Sequence, residues 1–191
     1  NEGPRIIAQL NKLKEGNYPV DIILCDGGST DGSNDIEMTK NMGVRTVLVK
    51  KSYGKMSTQL RMGYAYALNQ GYKGIIDVNG NNKDRMEAIP RFIEKLEQGY
   101  DFVQGSRFIK GGVHYNTPLL RKLAITLIHA PCMTLVSRFR YTDSTNGFRG
   151  LSRKFLLDPR VQPFRDIFVK YELLTYTAWR AARLGFKVCE I

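Results

Sequence analysis

Three oxygen-bearing side chains alternate along one short stretch of the chain, at Asp77, Asn79 and Asn81. The residues just before them, 74–76, are mostly apolar and predict a buried strand that ends at the carboxylate. If the backbone continues in an extended form, the three side chains face one pocket at the end of that strand. Carboxylate and amide oxygens suit Mg²⁺ or Mn²⁺. The stretch therefore predicts a divalent-metal site, while a polar turn that ends the strand is the alternative.

A second polar loop follows the apolar segment 20–25 and contains Asp26 and Asp31 among several glycines. Carboxylates placed where a strand leaves an α/β sheet can accept hydrogen bonds from a nucleoside base or from ribose hydroxyls. A tight turn that leads into a capped helix is the alternative. Further along, Lys55 and Arg61 either contact a diphosphate or are solvated surface cations.

Strand and helix patterns alternate along the chain, which predicts an α/β fold with an open, mostly parallel sheet. Strands are expected at residues 20–25, 44–49, 74–77, 100–104 and 186–191. Helices are expected at residues 4–16, 56–69, 83–98 and 169–184. Pro90 lies inside the third of these helices and predicts a kink or a break there.

The composition fits one domain, with 191 residues of which 42% are hydrophobic and 25% charged. The net charge of +11 predicts anionic partners. Nucleic acid is not expected among them, because the basic residues are spread through the chain without a nucleic-acid-binding motif. Cys25, Cys132 and Cys189 have apolar neighbours and no C-x-x-C spacing, which predicts buried, reduced thiols in the cytoplasm.

One apolar segment, residues 117–141, departs from the α/β pattern and contains Pro131. It is too interrupted to span a bilayer. It predicts a broken helix that lies in the headgroup region of a membrane, with basic side chains at its edges. Packing against the sheet is the alternative. The flanking basic residues are Arg121, Lys122, Arg138 and Arg140.

Together these stretches resemble the motifs of family 2 glycosyltransferases, in the branch of dolichol-phosphate mannose synthases and polyprenyl-phosphate sugar transferases. The matching segments are residues 1–3, 25–32, 54–63, 77–81, 105–108 and 143–149. The resemblance implies the GT-A fold, a Rossmann-like, mostly parallel open sheet flanked by helices. It also implies a single catalytic domain over residues 1–191, with the strand that the family places before Asn1 missing.

The resemblance further implies inverting transfer from a nucleotide-diphosphate sugar, with Mg²⁺ or Mn²⁺ held by Asp77, Asn79 and Asn81. The chain departs from the family where Asn79 replaces a carboxylate of the metal motif, which removes one negative charge. It departs again where Cys25 replaces an acidic residue of the nucleotide loop. By their places in the motifs, the donor-binding residues are Glu2, Asp26, Asp31, Lys55, Arg61, Asp77, Val78 and Asn79.

The acceptor decides which residues carry the chemistry. A polyprenyl phosphate is already a good nucleophile, so Arg107 and Arg149 would hold it and no strong base is needed. A sugar hydroxyl needs a base, for which Asp143 is the first candidate and Glu172 the second. We expect the lipid phosphate, and an enzyme peripheral on the cytoplasmic face of a membrane. The competing hypotheses are a sugar-to-hydroxyl polysaccharide transferase and a non-catalytic domain that binds nucleotide sugars or other anions.

Overall fold

In a computed structural model, which describes residues 1–112 and 118–191, helices pack against strands in an α/β fold. The elements are α1 (Pro4–Gly16), β1 (Ile22–Asp26), α2 (Ile36–Asn41), β2 (Val44–Val49), α3 (Met56–Asn69), β3 (Gly74–Asp77), a 3₁₀ turn (Met86–Ala88), α4 (Ile89–Glu97), β4 (Phe102–Gln104), α5 (Leu119–Leu123), a π-helical turn (Ala124–His129), α6 (Ala130–Ser137), β5 (Arg149–Ser152), α7 (Arg153–Leu157), α8 (Glu172–Arg183) and β6 (Val188–Glu190). The predicted α/β class is confirmed.

Hydrogen bonding divides the strands into two sheets. β1 and β2 pair in parallel, and the larger sheet has the order β3-β5-β4-β6. β5 is antiparallel to both of its neighbours, whereas β4 and β6 are parallel. Thus β3, β4 and β6 run in one direction, and β5 runs against them.

The register of β5 determines where the loops of the predicted site meet. Arg149, its first residue, lies opposite Asp77 at the end of β3 and opposite Gln104 at the end of β4. Because β5 is antiparallel, its beginning shares one edge of the sheet with the ends of its two neighbours. The loops after β3 and β4 and the loop before β5 therefore come together at that edge.

The core covers both faces of the larger sheet. Phe102 and Val103 are neighbours on β4, so they point to opposite faces, and both are fully buried. Phe102 packs in a cluster with Leu173 of α8, and Val103 packs in another with Phe92 of α4. A strand buried on both faces reads as a continuous apolar run, which is why its sequence shows no alternation.

The helix predicted for residues 83–98 begins later than expected. A 3₁₀ turn precedes α4, and Pro90 lies in the first turn of that helix rather than in its interior. Proline is tolerated there because its missing N–H would have had no partner within the helix. Pro90 therefore stands at the start of α4, where the 3₁₀ turn gives way to the helix, and residues 83–85 remain in the loop after β3.

Residues 119–137 form a continuous helical segment instead of the predicted broken helix, since α5, the π-helical turn and α6 follow one another without a gap. The wide π turn ends just before Pro131, whose ring removes one regular helical bond. By length and composition alone this segment could cross a membrane, and 17% of it is buried. Cys132 is exposed on it, contrary to expectation. Thr117, where the predicted segment starts, lies outside the described residues.

Candidate active site

A buried ion pair joins the loop after β4 to the loop before β5. Asp143 is 0% exposed, and its carboxylate accepts hydrogen bonds from Arg107 Nε at 2.6 Å and Nη2 at 3.1 Å. The backbone N–H of Thr145 also donates to it, at 3.2 Å. Burial alone would raise the pKa of Asp143, but the hydrogen bonds and charge of Arg107 hold it below its usual range. A carboxylate this well stabilised as an anion is a poor proton acceptor, which disfavours Asp143 as a base.

Arg107 keeps part of its guanidinium available to a ligand. Its side chain is 26% exposed, and Nη1 donates to none of the residues that the structure describes. Nη2 is shared between Asp143 and the hydroxyl of Thr145, at 3.0 Å from the hydroxyl. These contacts fix the plane of the guanidinium while one edge stays open. An arginine held in this way is suited to bind a phosphate oxygen, as predicted for Arg107.

Arg149, by contrast, lies in the core and not at a ligand surface. It is 1% exposed, and its guanidinium donates to the carbonyl oxygens of Asn146, Leu174 and Ser144. Burial lowers the pKa of Arg149, and the nearby hydroxyl of Tyr64 acts in the opposite direction. These contacts tie the loop before β5 to α8. The burial and these hydrogen bonds favour a structural role for Arg149, whereas its motif implies that it binds the acceptor phosphate.

Asp77 is also turned into the interior. It is 8% exposed, accepts a hydrogen bond from the hydroxyl of Tyr64 and lies opposite Arg149 in the strand register. Burial raises the pKa of Asp77 to about 7, although Tyr64 and the charge of Arg149 act in the opposite direction. The carboxyl is therefore partly protonated near neutral pH, and a bound cation would favour its ionised form.

We expect the Asp77 carboxyl to make the fold less stable as the pH rises. Its pKa is about 7 in the folded state against an ordinary value of 3.8, so the folded protein holds this proton more tightly than the unfolded chain does. The stabilising contribution is complete below the ordinary value and is lost as the pH rises through about 7. In urea unfolding with a chelator, wild type should lose roughly 1.4 kcal/mol per pH unit relative to Asp77→Asn between pH 5 and 7. An unchanging difference across that range would contradict this assignment.

Asn79 is held by a carboxylate that the motifs did not single out. Asp84 Oδ2 accepts hydrogen bonds from the backbone N–H of Asn79 at 3.1 Å and from its side-chain amide at 3.2 Å. Gly147 packs so closely on the other side that a Cβ there would lie 2.7 Å from Asn79 Nδ2. Burial raises the pKa of Asp84, opposed by Asn79 and by the charge of Arg107. The only sequence signal for Asp84 is that it is the next carboxylate after Asp77.

Asn81 does not line up with Asp77 and Asn79 as the alternating pattern predicted. The strand ends at Asp77, and the side-chain oxygen of Asn81 accepts the N–H of Lys83 at 3.2 Å within a turn. Val78 packs into the apolar cluster beneath α4. In residues 1–112 and 118–191, no three His, Cys, Asp or Glu side chains converge. A divalent cation would therefore need amide as well as carboxylate oxygens, and an all-oxygen set of this kind fits Mg²⁺ or Mn²⁺.

The N-terminal residues contact the loop after β1, so two of the matched motifs are adjacent. The N–H of Gly3 donates to Asp31 Oδ2 at 2.9 Å, and the side chain of Asn1 accepts the N–H of Thr30 at 2.8 Å. Glu2 lies between these contacts and is exposed. The structure thus brings together the two segments that the resemblance assigns to the donor nucleotide.

Asp26 stabilises the loop after β1 through hydrogen bonds to its backbone. It is 7% exposed, and its Oδ2 accepts the N–H groups of Gly28 at 2.7 Å and Ser29 at 2.8 Å. Cys25, just before it, packs against α3 so closely that a Cβ at Gly63 would lie 2.7 Å from its Sγ. Burial raises the pKa of Cys25 to about 12, which makes it an unreactive thiol, although the residue is only partly buried. Gly63 in its matched motif is therefore explained by this close approach.

Three other predicted residues make no contact with the ion pair of Asp143 and Arg107 in the part of the chain that the structure describes. Lys55 is exposed just before α3. Arg61 donates to Asp166 at 2.6 Å and so faces the segment before α8. Glu172, the second candidate base, is exposed at the start of α8 and accepts the N–H of Lys170 at 2.7 Å. Their predicted roles at the donor or as a base remain predictions.

Comparisons with known proteins agree with the motifs. No protein-family model matches the chain. An undecaprenyl-phosphate mannosyltransferase of Micrococcus luteus is 26% identical over 194 residues, covering 100% of this chain and 78% of that protein. A polyprenol monophosphomannose synthase of Mycolicibacterium smegmatis is 25% identical, covering 90% of this chain and 65% of that protein. A dolichyl-phosphate hexose transferase of Haloferax volcanii is 24% identical, covering 97% of this chain and 73% of that protein. The resemblance drawn from the motifs is confirmed, since the chain is similar over most of its length to proteins named as polyprenyl- and dolichyl-phosphate sugar transferases.

Proposed function

We propose that this chain is a glycosyltransferase domain that moves a sugar from a nucleotide-diphosphate sugar to a polyprenyl phosphate, with inversion at the anomeric carbon. The observation that carries the choice of acceptor is the pairing of Asp143 with Arg107. A sugar hydroxyl would require a base, yet the Asp143 carboxylate is already held by Arg107 and Thr145. A phosphate acceptor requires no base. The names of the three relatives described above, each a lipid-phosphate sugar transferase or synthase, favour the same acceptor.

The loop after β1 and the loops at the shared edge of the larger sheet then each have a role in this proposal. The loop with Asp26 and Asp31 holds the donor nucleoside, and Asp77 and Asn79 lie toward its diphosphate. Arg107 orients one phosphate oxygen of the acceptor for attack on the face of the sugar opposite the leaving group. A divalent cation would stabilise the charge that develops on the departing diphosphate.

The helical segment 119–137 supports an acceptor that resides in a membrane. Its inner face is anchored in the core by Ile125, Ala130 and Met133, each less than a tenth exposed. A contiguous apolar surface of this kind on the outer face rarely faces water in a protein without a partner. We infer that this face lies on the cytoplasmic side of a membrane, with the flanking arginines among the headgroups. The exposed apolar residues are Leu119, Leu120, Leu123, Leu127, Ile128, Leu135 and Val136.

A cavity of about 630 Å³ lies between this segment and the residues that lead into Asp143. Pro131 and Leu135 line it on the helical side, and Tyr141 and Thr142 line it on the loop side. The exposed guanidinium of Arg140 is also part of its wall. An isoprenoid chain that leaves the membrane along the apolar face could enter here and bring its phosphate toward the loops of the site.

We expect anionic vesicles to bind the protein through this outer face. Each basic residue near the surface contributes roughly 1 kcal/mol, and this attraction weakens as salt is added. Replacing Leu127 and Ile128 with serine should weaken sedimentation with vesicles about tenfold or more, because burial of one such side chain contributes roughly 1.5–3 kcal/mol. Leu157→Ser, at a 53% exposed leucine of α7, is the matched control. Equal sedimentation of all variants with neutral and anionic vesicles at every salt concentration would contradict the membrane assignment.

The proposed reaction is tested by incubating wild type with labelled nucleotide sugars, Mn²⁺ and polyprenyl phosphate in detergent. Label should pass from one of the nucleotide sugars into a product that partitions into organic solvent. If no nucleotide sugar yields a labelled lipid while donor hydrolysis or transfer to a glycan proceeds, the lipid-phosphate acceptor is wrong.

A further inference from the structure

We propose that Asp84 supplies the carboxylate that the metal motif lacks at Asn79 and that it ligates the divalent cation at the donor diphosphate. This inference rests on the proposed function, because it assigns a ligand within the same donor site. Asp84 lies outside the matched segment 77–81, so the motifs assign it no role.

Two side-chain oxygens at this place in the loop, one of Asp84 and one of Asn79, are free of hydrogen bonds from the described residues. Asp84 Oδ2 is occupied by the two N–H donors of Asn79. Its other oxygen, Oδ1, accepts no hydrogen bond from the part of the chain that the structure describes, and neither does the side-chain oxygen of Asn79. A carboxylate oxygen and an amide oxygen of adjoining side chains are thus both available. These are the ligand types that hard divalent cations prefer.

The charge of the site also favours Asp84 as a ligand. Asn79 stands where the motif has a carboxylate. The Asp77 carboxylate accepts a hydrogen bond from the Tyr64 hydroxyl, and its charge is partly compensated by that of Arg149. Without a further anion, a cation at this site would meet one carboxylate, that of Asp77, whose charge is partly neutralised. Asp84 returns the missing negative charge within hydrogen-bonding distance of the substituted side chain.

The loop is held in place on both sides of Asp84. Before it, the N–H of Asn82 donates to Gln9 Oε1 at 2.9 Å and Lys12 Nζ donates to Asn82 Oδ1 at 2.9 Å, which fastens the loop to α1. After it, the side chain of Met86 is 1% exposed in the core. A carboxylate between two such anchors is positioned before a ligand arrives, which a cation site requires.

Asp84→Asn separates this role from a purely structural one. The asparagine keeps a side-chain oxygen that can accept the N–H of Asn79, so the loop retains its tie, but the charge is lost. Adding Asn79→Asp in the same chain returns the charge at the neighbouring position. Glu87→Gln is the matched control, because it removes one exposed charge from the 3₁₀ turn that follows this loop. Thermal unfolding of each variant shows that the fold is kept.

The readout is Mn²⁺ binding followed by the electron paramagnetic resonance of free Mn²⁺, with the metal alone and with guanosine diphosphate. We expect Asp84→Asn to bind Mn²⁺ at least about tenfold more weakly than wild type. The double variant should regain most of the loss, and Glu87→Gln should match wild type. Wild-type affinity in folded Asp84→Asn, or no recovery in the double variant, overturns the inference. If wild type transfers sugar but binds no Mn²⁺, the inference about Asp84 is wrong and the proposed function stands. If wild type binds Mn²⁺ but transfers no sugar, the proposed function is wrong instead.

Discussion

Arg107→Lys should lower the rate of transfer to polyprenyl phosphate by about 100-fold and leave nucleotide binding unchanged. Lysine keeps the positive charge, but one ammonium cannot span both oxygens of Asp143 and still present a fixed N–H to the acceptor. The loss should therefore appear in both kcat and KM for the acceptor. Arg91→Lys, at an exposed arginine of α4, is the control. Normal transfer by Arg107→Lys would contradict its assignment to the acceptor phosphate.

A double-mutant cycle separates this role of Arg107 from a base at Asp143. If the carboxylate acts by holding the guanidinium, Asp143→Asn and Arg107→Lys damage the same unit and their effects on transfer do not multiply. If Asp143 instead removes a proton from a hydroxyl, its loss should cost about 10²–10⁴-fold independently of Arg107. Multiplicative effects of the two changes would therefore favour the hydroxyl acceptor.

Arg149→Lys should affect stability more than chemistry, lowering the free energy of unfolding by about 3–5 kcal/mol. The lysine cannot reach the carbonyl oxygens of Asn146, Leu174 and Ser144 together, and some of these acceptors would be left buried without a donor. Urea unfolding is the measurement.

Arg180→Lys provides the matched control for that experiment. Arg180 also donates to a backbone carbonyl, that of Arg160, at 3.0 and 2.7 Å, but this contact is exposed and its loss should cost below about 1 kcal/mol. If Arg149→Lys is as stable as wild type yet fails to transfer sugar, Arg149 belongs to the acceptor site after all.

Sequence periodicity predicted the elements whose pattern is local. The helix over residues 56–69 and the strand over residues 44–49 have the predicted bounds, because their apolar spacing and flanking glycines are sufficient signals. The role of residues 149–152 was not predictable in this way. They form a strand between β3 and β4, and strand pairing depends on contacts distant in the chain that local spacing does not record.

Motif spacing located the loops of the site but not the direction of each side chain. Arg107 and Arg149 both lie in matched motifs, yet one keeps an open edge and the other is enclosed by carbonyl oxygens. The alternation of Asp77, Asn79 and Asn81 assumed an extended backbone, whereas the chain turns after the strand and brings Asp84 to Asn79 instead. Such contacts arise from the path of the loop and could not be read from residue order.

The most direct test of the phosphate acceptor compares two lipids of equal chain length, polyprenyl phosphate and polyprenol, as acceptors for wild type with Mn²⁺ and the active nucleotide sugar. The two lipids share the isoprenoid chain that the proposal places along the apolar face, but only the first offers a nucleophile that needs no base. We predict that label enters the phosphate lipid and does not enter the alcohol at any pH between 6 and 9. Comparable labelling of polyprenol, or of a glycan hydroxyl, would contradict transfer to a lipid phosphate.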